Sequence, residues 1–491
     1  MAGRLALLLL AILAVSCGPT SRPDYVIHLV NGMGGNPFDM RCRSGDVQVD
    51  VQQETNPVLT THGSLTFGTL SSLTVSIPSY GLLTSIEVTV HCTDGTSAEL
   101  IGATPRFIPT GYGFVDIVLG QPSTCEHLAM PALRTPRSSP HFVTLGANVL
   151  VIGGLEGSMS PSPHVQVLDP VALTYNTAAV EFPMLSIGIG LGAAAPLSPQ
   201  SLVVASDTVT AIFDATPNLR TPRVVVPTVL HRGAGSESAV VALNGSGVAI
   251  IGGFVDGAAV SGITWISTSG TSMSGQMRFP RRRPGAAVVG PNRLLVVGGQ
   301  AMGDPLFELM AFLSTDPAAS MPFGSPSETR YAPVVTTDAS HTHAWVGYGE
   351  TALDVTSTLP MASWELGTCA LTCRVTPGQT VTDPRRDVAV VAHHVGIHGA
   401  PTTDAYETLV IGGTGATGTS GAIDRITFDD HGAVTLTAFG TLGTHVVLSD
   451  VGAAEIGAGV FLVGGGLDAA GTAQQGIEIC FPAALEPITA R

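Results

Sequence analysis

Lysine is absent from this chain. All 21 basic residues are arginine, set against 37 acidic ones for a formal net charge of -16. That balance argues against non-specific binding to nucleic acid or to an anionic lipid surface. Charged residues of either sign make up only 12%, while glycines number 59. Turns joining short buried strands give such a composition, and a helical protein does not. Beyond the N-terminus no apolar run reaches the roughly 18 residues needed to cross a membrane. Also missing are the Gly-x-Ser-x-Gly elbow, a glycine-rich phosphate loop with its lysine, and the aspartate boxes of sialidases, so no catalytic constellation is recognised.

The N-terminus carries an export signal. Arg4 supplies a positive start, and Leu5 to Val15 is an apolar run too short to span. It ends in Ala14-Val15-Ser16-Cys17, which resembles the bacterial lipobox with alanine in place of the usual leucine. The resemblance implies cleavage before Cys17, lipidation of that cysteine and, with Gly18 next to it, sorting to the outer membrane of a Gram-negative envelope. Acyl chains of that kind anchor without spanning. A plain secretory peptide is the alternative. Residues 1–16 are then signal and 17–24 tether. Six cysteines remain, Cys42, Cys92, Cys125, Cys369, Cys373 and Cys480. In an exported chain an even number points to disulfides, with 15 pairings open. Cys369-Ala-Leu-Thr-Cys373 has no second ligand pair for zinc.

Residues 25–120 alternate like half-buried strands. Ile86, Val88, Val90 and Cys92 share one face, and Val47, Val49 and Val51 alternate with Gln48 and Asp50. A small β-sandwich, immunoglobulin-like, is expected here, stapled by Cys42 and Cys92.

From Cys125 onward one device repeats: a short apolar strand that stops at a glycine pair. It appears at Val149 to Gly154, Val248 to Gly253, Arg293 to Gly299, Leu409 to Gly413 and Val460 to Gly465. Weaker copies are Leu202 to Ser206 and Trp345 to Gly349. The stops at 153, 205, 252, 298, 347, 412 and 464 are separated by 52, 47, 46, 49, 65 and 52 residues. The long interval holds an insertion at His393 to Tyr406. Inside the units, Arg134-Thr135-Pro136-Arg137 leads to a first strand, and an Asp169-Pro170 turn is followed by Tyr175. Leu219 to Arg223 repeats the Leu-Arg-Thr-Pro-Arg run, and Arg282 and Arg386 stand before similar strands.

Arginine, first strand, Gly-Gly strand and Asp-Pro turn, at a period near 50 residues, resemble the kelch-repeat β-propeller family. The likeness spans roughly residues 126 to 482. It implies an all-β fold in which the sandwich is followed by a seven-bladed propeller over 125–482, six blades being the alternative, with 483–491 as a tail. In kelch repeats the stretch before the arginine belongs to the outer strand of the preceding blade. Residues 126–131 are therefore expected to complete the last blade, antiparallel to Ile477 to Phe481. That brings Cys125 beside Cys480. Cys369 and Cys373 are expected to bridge locally at a turn, since a straight strand would hold their Cα atoms roughly 13 Å apart.

Five arginines stand at or just before first strands: Arg137, Arg232, Arg282, Arg330 and Arg386. As a ring at the channel mouth they would suit a carboxylate, a sulfate or an acidic glycan. Alternatively each pins one blade to the next and pairs with acids such as Glu156, Asp256, Asp304 and Asp468. His341-Thr342-His343 would place two imidazoles on one strand face, and His393, His394 and His398 lie in the insertion. Neither group brings a placed carboxylate, so no metal is expected. The copper site of galactose oxidases does not transfer either: Tyr331, Tyr348 and Tyr406 are present, but no cysteine is left for its cross-link. The expectation is a non-enzymatic module without cofactor, binding a surface protein or glycan, anionic ones included, through one propeller face. An enzyme site at the channel mouth (hydrolase, epimerase or oxidase) and an envelope scaffold are the alternatives.

Overall fold

The computed structural model describes residues 24–31, 41–53, 58–66, 71–79, 81–109, 113–128, 132–145, 148–157, 160–169, 174–181, 193–198, 201–205, 210–214, 237–243, 246–255, 257–290, 292–299, 307–311, 320–322, 330–350, 361–367, 374–396, 404–443, 448–483 and 485. These residues form an all-β protein of many small, mostly antiparallel sheets. Cys17, Arg232, Cys369, Cys373, Asp256, Asp304, His398 and residues 129–131 lie outside the described residues. So do the side chains of His393, His394 and Tyr406.

The N-terminal part contains β1 (Asp24–Asn31), β2 (Ser44–Gln53), β3 (Leu59–Thr66), β4 (Ser71–Ser76), β5 (Thr84–Asp94), β6 (Glu99–Ala103) and β7 (Gly113–Leu119). One sheet runs β4-β1-β7, with β1 antiparallel to β4 and parallel to β7. The other runs β3-β2-β5-β6, antiparallel throughout. Ile27, Val115 and Ile117 of the first sheet share one core with Val47, Val49, Ile86, Val88 and Val90 of the second. The period-two alternation read in the sequence is what supplies that common apolar face. The Cys42–Cys92 disulfide, Cα atoms 5.4 Å apart, ties the approach to β2 to the end of β5.

The rest forms seven larger sheets among the described residues, each opening with a first strand, a hairpin and a second strand, beside two small ones, Arg137–Ser138 with Leu155–Glu156 and Ser160–Pro161, and Thr414–Gly415 with Gly418–Thr419. Their first two strands are His141–Leu145 and Asn148–Ile152 (sheet I), Ala193–Ser198 and Ser201–Ala205 (II), and Ala239–Ala242 and Gly247–Ile251 (III). Then come Gly285–Val288 and Arg293–Val297 (IV), Val334–Thr337 and Ala344–Gly347 (V), Ala389–Gly396 and Asp404–Ile411 (VI), and Gly452–Gly457 and Val460–Gly464 (VII). Third strands pair with second strands in every sheet, for example Phe307–Ala311 in IV, Ala422–Phe428 in VI and Ile477–Cys480 in VII.

Second strands are apolar over their last three positions because both of their faces are covered there. Leu294 and Val296 join the core between sheets III and IV, while Leu295 and Val297 join the core between IV and V. The same holds along the series: I packs on II, II on III, V on VI and VI on VII, each pair around its own apolar cluster. Sheet VII in turn packs on sheet I, through Phe142, Val149 and Val151 against Leu462 and Ile477. Burying a Val, Leu or Ile side chain contributes about 1.5–3 kcal/mol, so these seven cores carry most of the stabilisation.

Sheet VII is built from two stretches of the chain far apart in sequence. Its outer strand is β8 (Cys125–His127), antiparallel to Ile477–Cys480 with Cys125 opposite Cys480. A disulfide joins those two residues across 355 positions of sequence. The N-terminal sheets lean on this same unit. Ile101, Ala103 and Val118 enter its core, Arg41 pairs with Glu126, and the Phe481 ring lies over Gly120, where an added Cβ would sit 2.0 Å from Cε2.

Candidate functional site

The described residues that lead into the first strands of sheets I and III to VII meet one another at one end of those sheets. Their arginines divide into two sets. Arg137, Arg281, Arg330 and Arg385 are fully buried, each four residues before a first strand. Each donates to a carbonyl of its own sheet at the residue after the second strand: Arg137 to Gly153 O at 3.0 Å, Arg281 to Gly298 O at 2.5 Å, Arg330 to Tyr348 O at 3.1 Å and Arg385 to Gly412 O at 2.5 Å. Their own carbonyls accept N–H groups from the preceding sheet: Arg281 from Gly253 at 2.8 Å, Arg330 from Gly299 at 2.6 Å and Arg385 from Gly349 at 3.2 Å. Gly466 donates to Arg137 O at 2.9 Å in the same manner, joining VII to I. These arginines hold the frame. Glu308 neutralises Arg281 at 3.2 Å, Asp424 pairs with Arg385, and Arg330 lies 4.4 Å over the Trp364 ring.

The described turns after second strands need left-handed backbone, which is why glycine pairs mark them. Gly298 and Gly299 have φ of 62° and 78°. In sheet V the first of the two places is held by Tyr348 at φ 55°, its ring wholly buried. In sheet VII the left-handed pair is Gly465 and Gly466, one residue later than the strand pattern placed it.

A second set of left-handed residues lies two positions before the first strands: Ser139, Glu237, Arg283, Ala332, Asp387 and Asp450, with φ between 47° and 64°. Their backbones are hydrogen-bonded from sheet to sheet. Ala332 N donates to Arg283 O at 2.7 Å and Arg283 N to Glu237 O at 3.0 Å. Asp450 N donates to Asp387 O at 3.0 Å and Ser139 N to Asp450 O at 2.7 Å. Non-glycine residues at positive φ are held only where surroundings over-determine them, and they gather at functional sites.

Their side chains form a mixed-charge cluster. Arg283 reaches Glu350 at 2.9 Å and Asp387 at 2.6 Å. Arg386 lies 3.8 Å from Glu350 and 3.5 Å from Asp387. Arg282 is paired with Glu237, by two contacts of which one measures 2.9 Å, and stacks 4.2 Å from the Phe254 ring centre. Ser139 Oγ donates to Asp450 Oδ1 at 3.2 Å. Burial, with the Asp387 carboxylate nearby, pushes the Asp450 carboxyl up to about 6. Although burial opposes its charge, the adjoining Asp387, Glu350 and Glu237 keep Arg283 more firmly protonated than usual. Four carboxyls thus meet three guanidiniums, and the cluster is near neutrality rather than cationic.

The arginines singled out in the sequence therefore part company. Arg137 and Arg330 belong to the buried frame, whereas Arg282 and Arg386 belong to the cluster. Among the expected acids, Glu156 accepts Thr135 Oγ1 at 3.0 Å beside Arg137, and Asp468 caps its own turn through the amides of Ala470 and Thr472. Glu237, Arg283, Glu350, Asp387 and Asp450 were missed. The signal that could have found four of them is the polar residue that recurs two places before five of the seven first strands. The paired histidines are a correction: His341 and His343 sit in the hairpin after Val334–Thr337, not on one strand face, and Asp338 organises that turn by accepting His343 N at 2.9 Å and Nδ1 at 3.0 Å. Among the described residues no group of three or more His, Cys, Asp or Glu could hold a metal ion.

No family model matches the chain, and no curated protein matches it. Among solved structures, one described as "Structure of YjhT" is similar, at 13% identity over 71% of this chain and 95% of that chain, with a TM-score of 0.41.

Proposed function

We propose that this chain is an exported, lipid-anchored envelope protein that binds a surface glycan or protein through the face carrying the mixed-charge cluster. In this proposal the seven sheets are blades of a kelch-like propeller and the N-terminal pair of sheets is an immunoglobulin-like sandwich docked on the closing blade. Seven apolar cores in cyclic succession, the last between sheets VII and I, support the propeller. Two disulfides suit an oxidising compartment such as an envelope.

One observation carries the functional reading. Arg282, Arg283 and Arg386 are each partly exposed and each held in place by Glu237, Glu350 or Asp387. Planar groups fixed in that way present donors and acceptors together without an ordering cost at binding, as a polyhydroxyl ligand or a mixed-charge protein patch requires. Near-neutrality favours such ligands over a simple polyanion. The test is an array of envelope glycans and proteins probed with the purified protein. Saturable binding with no change in the bound molecule supports the proposal, and turnover of a bound glycan contradicts it.

The enzyme alternative has one observation in its favour. Asp450, at about 6, lies beside Asp387. A carboxyl raised by burial beside a second carboxyl is an arrangement used for acid–base work.

A further inference from the structure

A separate groove of about 400 Å³ opens between sheets V and VI. It exists because the outer strands of those sheets, Arg374–Val381 and Val434–Thr441, touch. Gln379 Oε1 accepts the Leu436 N–H at 3.0 Å and joins the two walls. Tyr348 reaches the floor from its left-handed place after the second strand of V, where sheets I, III, IV, VI and VII have a glycine and no side chain.

The groove's polar lining is built mainly from acceptors. Asp424 Oδ2 accepts from Tyr348 Oη at 2.6 Å and from Arg385, while its Oδ1 has no partner among the described residues. Asp383, half exposed at the rim, has Arg385 Nε at 3.5 Å. The Thr380 and Thr382 hydroxyls have no hydrogen-bond partner among the described residues. Thr437 Oγ1 accepts from Arg425 at 3.3 Å and keeps its own proton to donate. Two carboxylates share one guanidinium, and that guanidinium is buried and committed to the Gly412 and Ala422 carbonyls at 2.5 and 2.6 Å. An anionic ligand would meet uncompensated negative charge here. A ligand rich in hydroxyl donors would meet fixed acceptors, with Val381, Leu436 and Ala438 as its apolar wall. The volume lies within the range of small-molecule pockets.

We propose that this groove is a saccharide subsite, distinct from the mixed-charge cluster, that takes a neutral or amino-substituted sugar ring by its vicinal hydroxyl or amino donors. The inference does not depend on what the cluster binds. Saturation-transfer NMR and calorimetry on the full chain in detergent, with methyl glucoside, methyl galactoside, glucosamine and glucuronate as probes, test it. Neutral or amino sugars should bind and glucuronate should not. Asp383→Ala combined with Thr380→Val, both at exposed rim positions, should weaken that binding at least about tenfold, the loss expected for a hydrogen bond to a charged group. Asp424→Asn, which leaves Arg385 only the rim carboxylate of Asp383 as a charged partner, is the second variant and should weaken it further. Three outcomes overturn the proposal: no neutral or amino sugar binds, glucuronate binds best, or the rim variant binds as the unaltered protein does. Loss of sugar binding in Arg283→Ala but not in the rim variant would place the sugar in the cluster and overturn it equally.

Discussion

Replacing Glu478 with glutamine should make the protein more stable at pH 8 and leave it nearly unchanged at pH 4.5. In sheet VII Glu478 stands opposite Val463, the register that Glu308 has opposite Val296 in sheet IV and Asp424 opposite Val410 in sheet VI. Those two acids pair with the buried Arg281 and Arg385. In sheet VII the position four before the first strand is Leu448, so the guanidinium is missing. Glu478 is 4% exposed and, among the described residues, accepts only the Gly443 N–H at 2.7 Å. Burial therefore pushes its carboxyl from an ordinary 4.5 up to about 7. A carboxyl raised in the folded state keeps its proton while the unfolded chain has lost it, so stability falls as pH rises from 4.5 to 7 and stays low above. At 1.36 kcal/mol per pKa unit the ionised form costs about 3 kcal/mol. Glutamine removes the charge and retains an acceptor for Gly443. Urea unfolding of both proteins at the two pH values measures the difference. An equal effect at both pH values, or a less stable variant at pH 8, would refute the reasoning.

Arg281→Met should destabilise by about 3–5 kcal/mol, because it leaves the Glu308 carboxylate buried without its partner, and thermal melting reads this directly. Arg281→Met with Glu308→Leu should recover most of that loss. Cys125→Ser with Cys480→Ser opens a loop of 355 residues. The chain-entropy model puts the loss at no more than about 5–6 kcal/mol, checked by unfolding under matched oxidising conditions. Cys17→Ala should release the protein from membranes, and mass spectrometry of the native N-terminus should find acyl chains on Cys17.

The strands that end in glycine pairs were legible because a left-handed turn after a doubly covered strand leaves a local signature. Tyr348 weakened one copy, whose stop the pattern put at 347, by taking that conformation itself, held by its buried ring and its bond to Asp424. Three consecutive glycines, Gly464 to Gly466, hid the register of another, since only the surrounding sheets decide which two turn. The run Arg281-Arg282-Arg283 posed the same difficulty. Neighbours in sequence went to a buried carbonyl, to Glu237 and to the Glu350–Asp387 pair, and composition cannot divide such a run. Glu350 reaches the cluster from the residue after Gly349, so its role depends on how sheets V and VI sit together. The Cys125–Cys480 pairing was legible through the kelch resemblance, which implies that the stretch before the Arg134–Arg137 run supplies the outer strand of the preceding unit, antiparallel to Ile477–Cys480.

The measurement that bears most directly on the account compares binding and melting in two variants. Arg282→Ala with Arg386→Ala alters the exposed cluster, and Arg330→Met alters the buried frame. With a glycan or protein captured from the envelope array as probe, the cluster variant should lose at least about tenfold in affinity, the worth of one charge-assisted hydrogen bond, at a nearly unchanged melting temperature. The frame variant should melt lower. A cluster variant that melts far lower yet binds as before would contradict the account and make these arginines part of the frame.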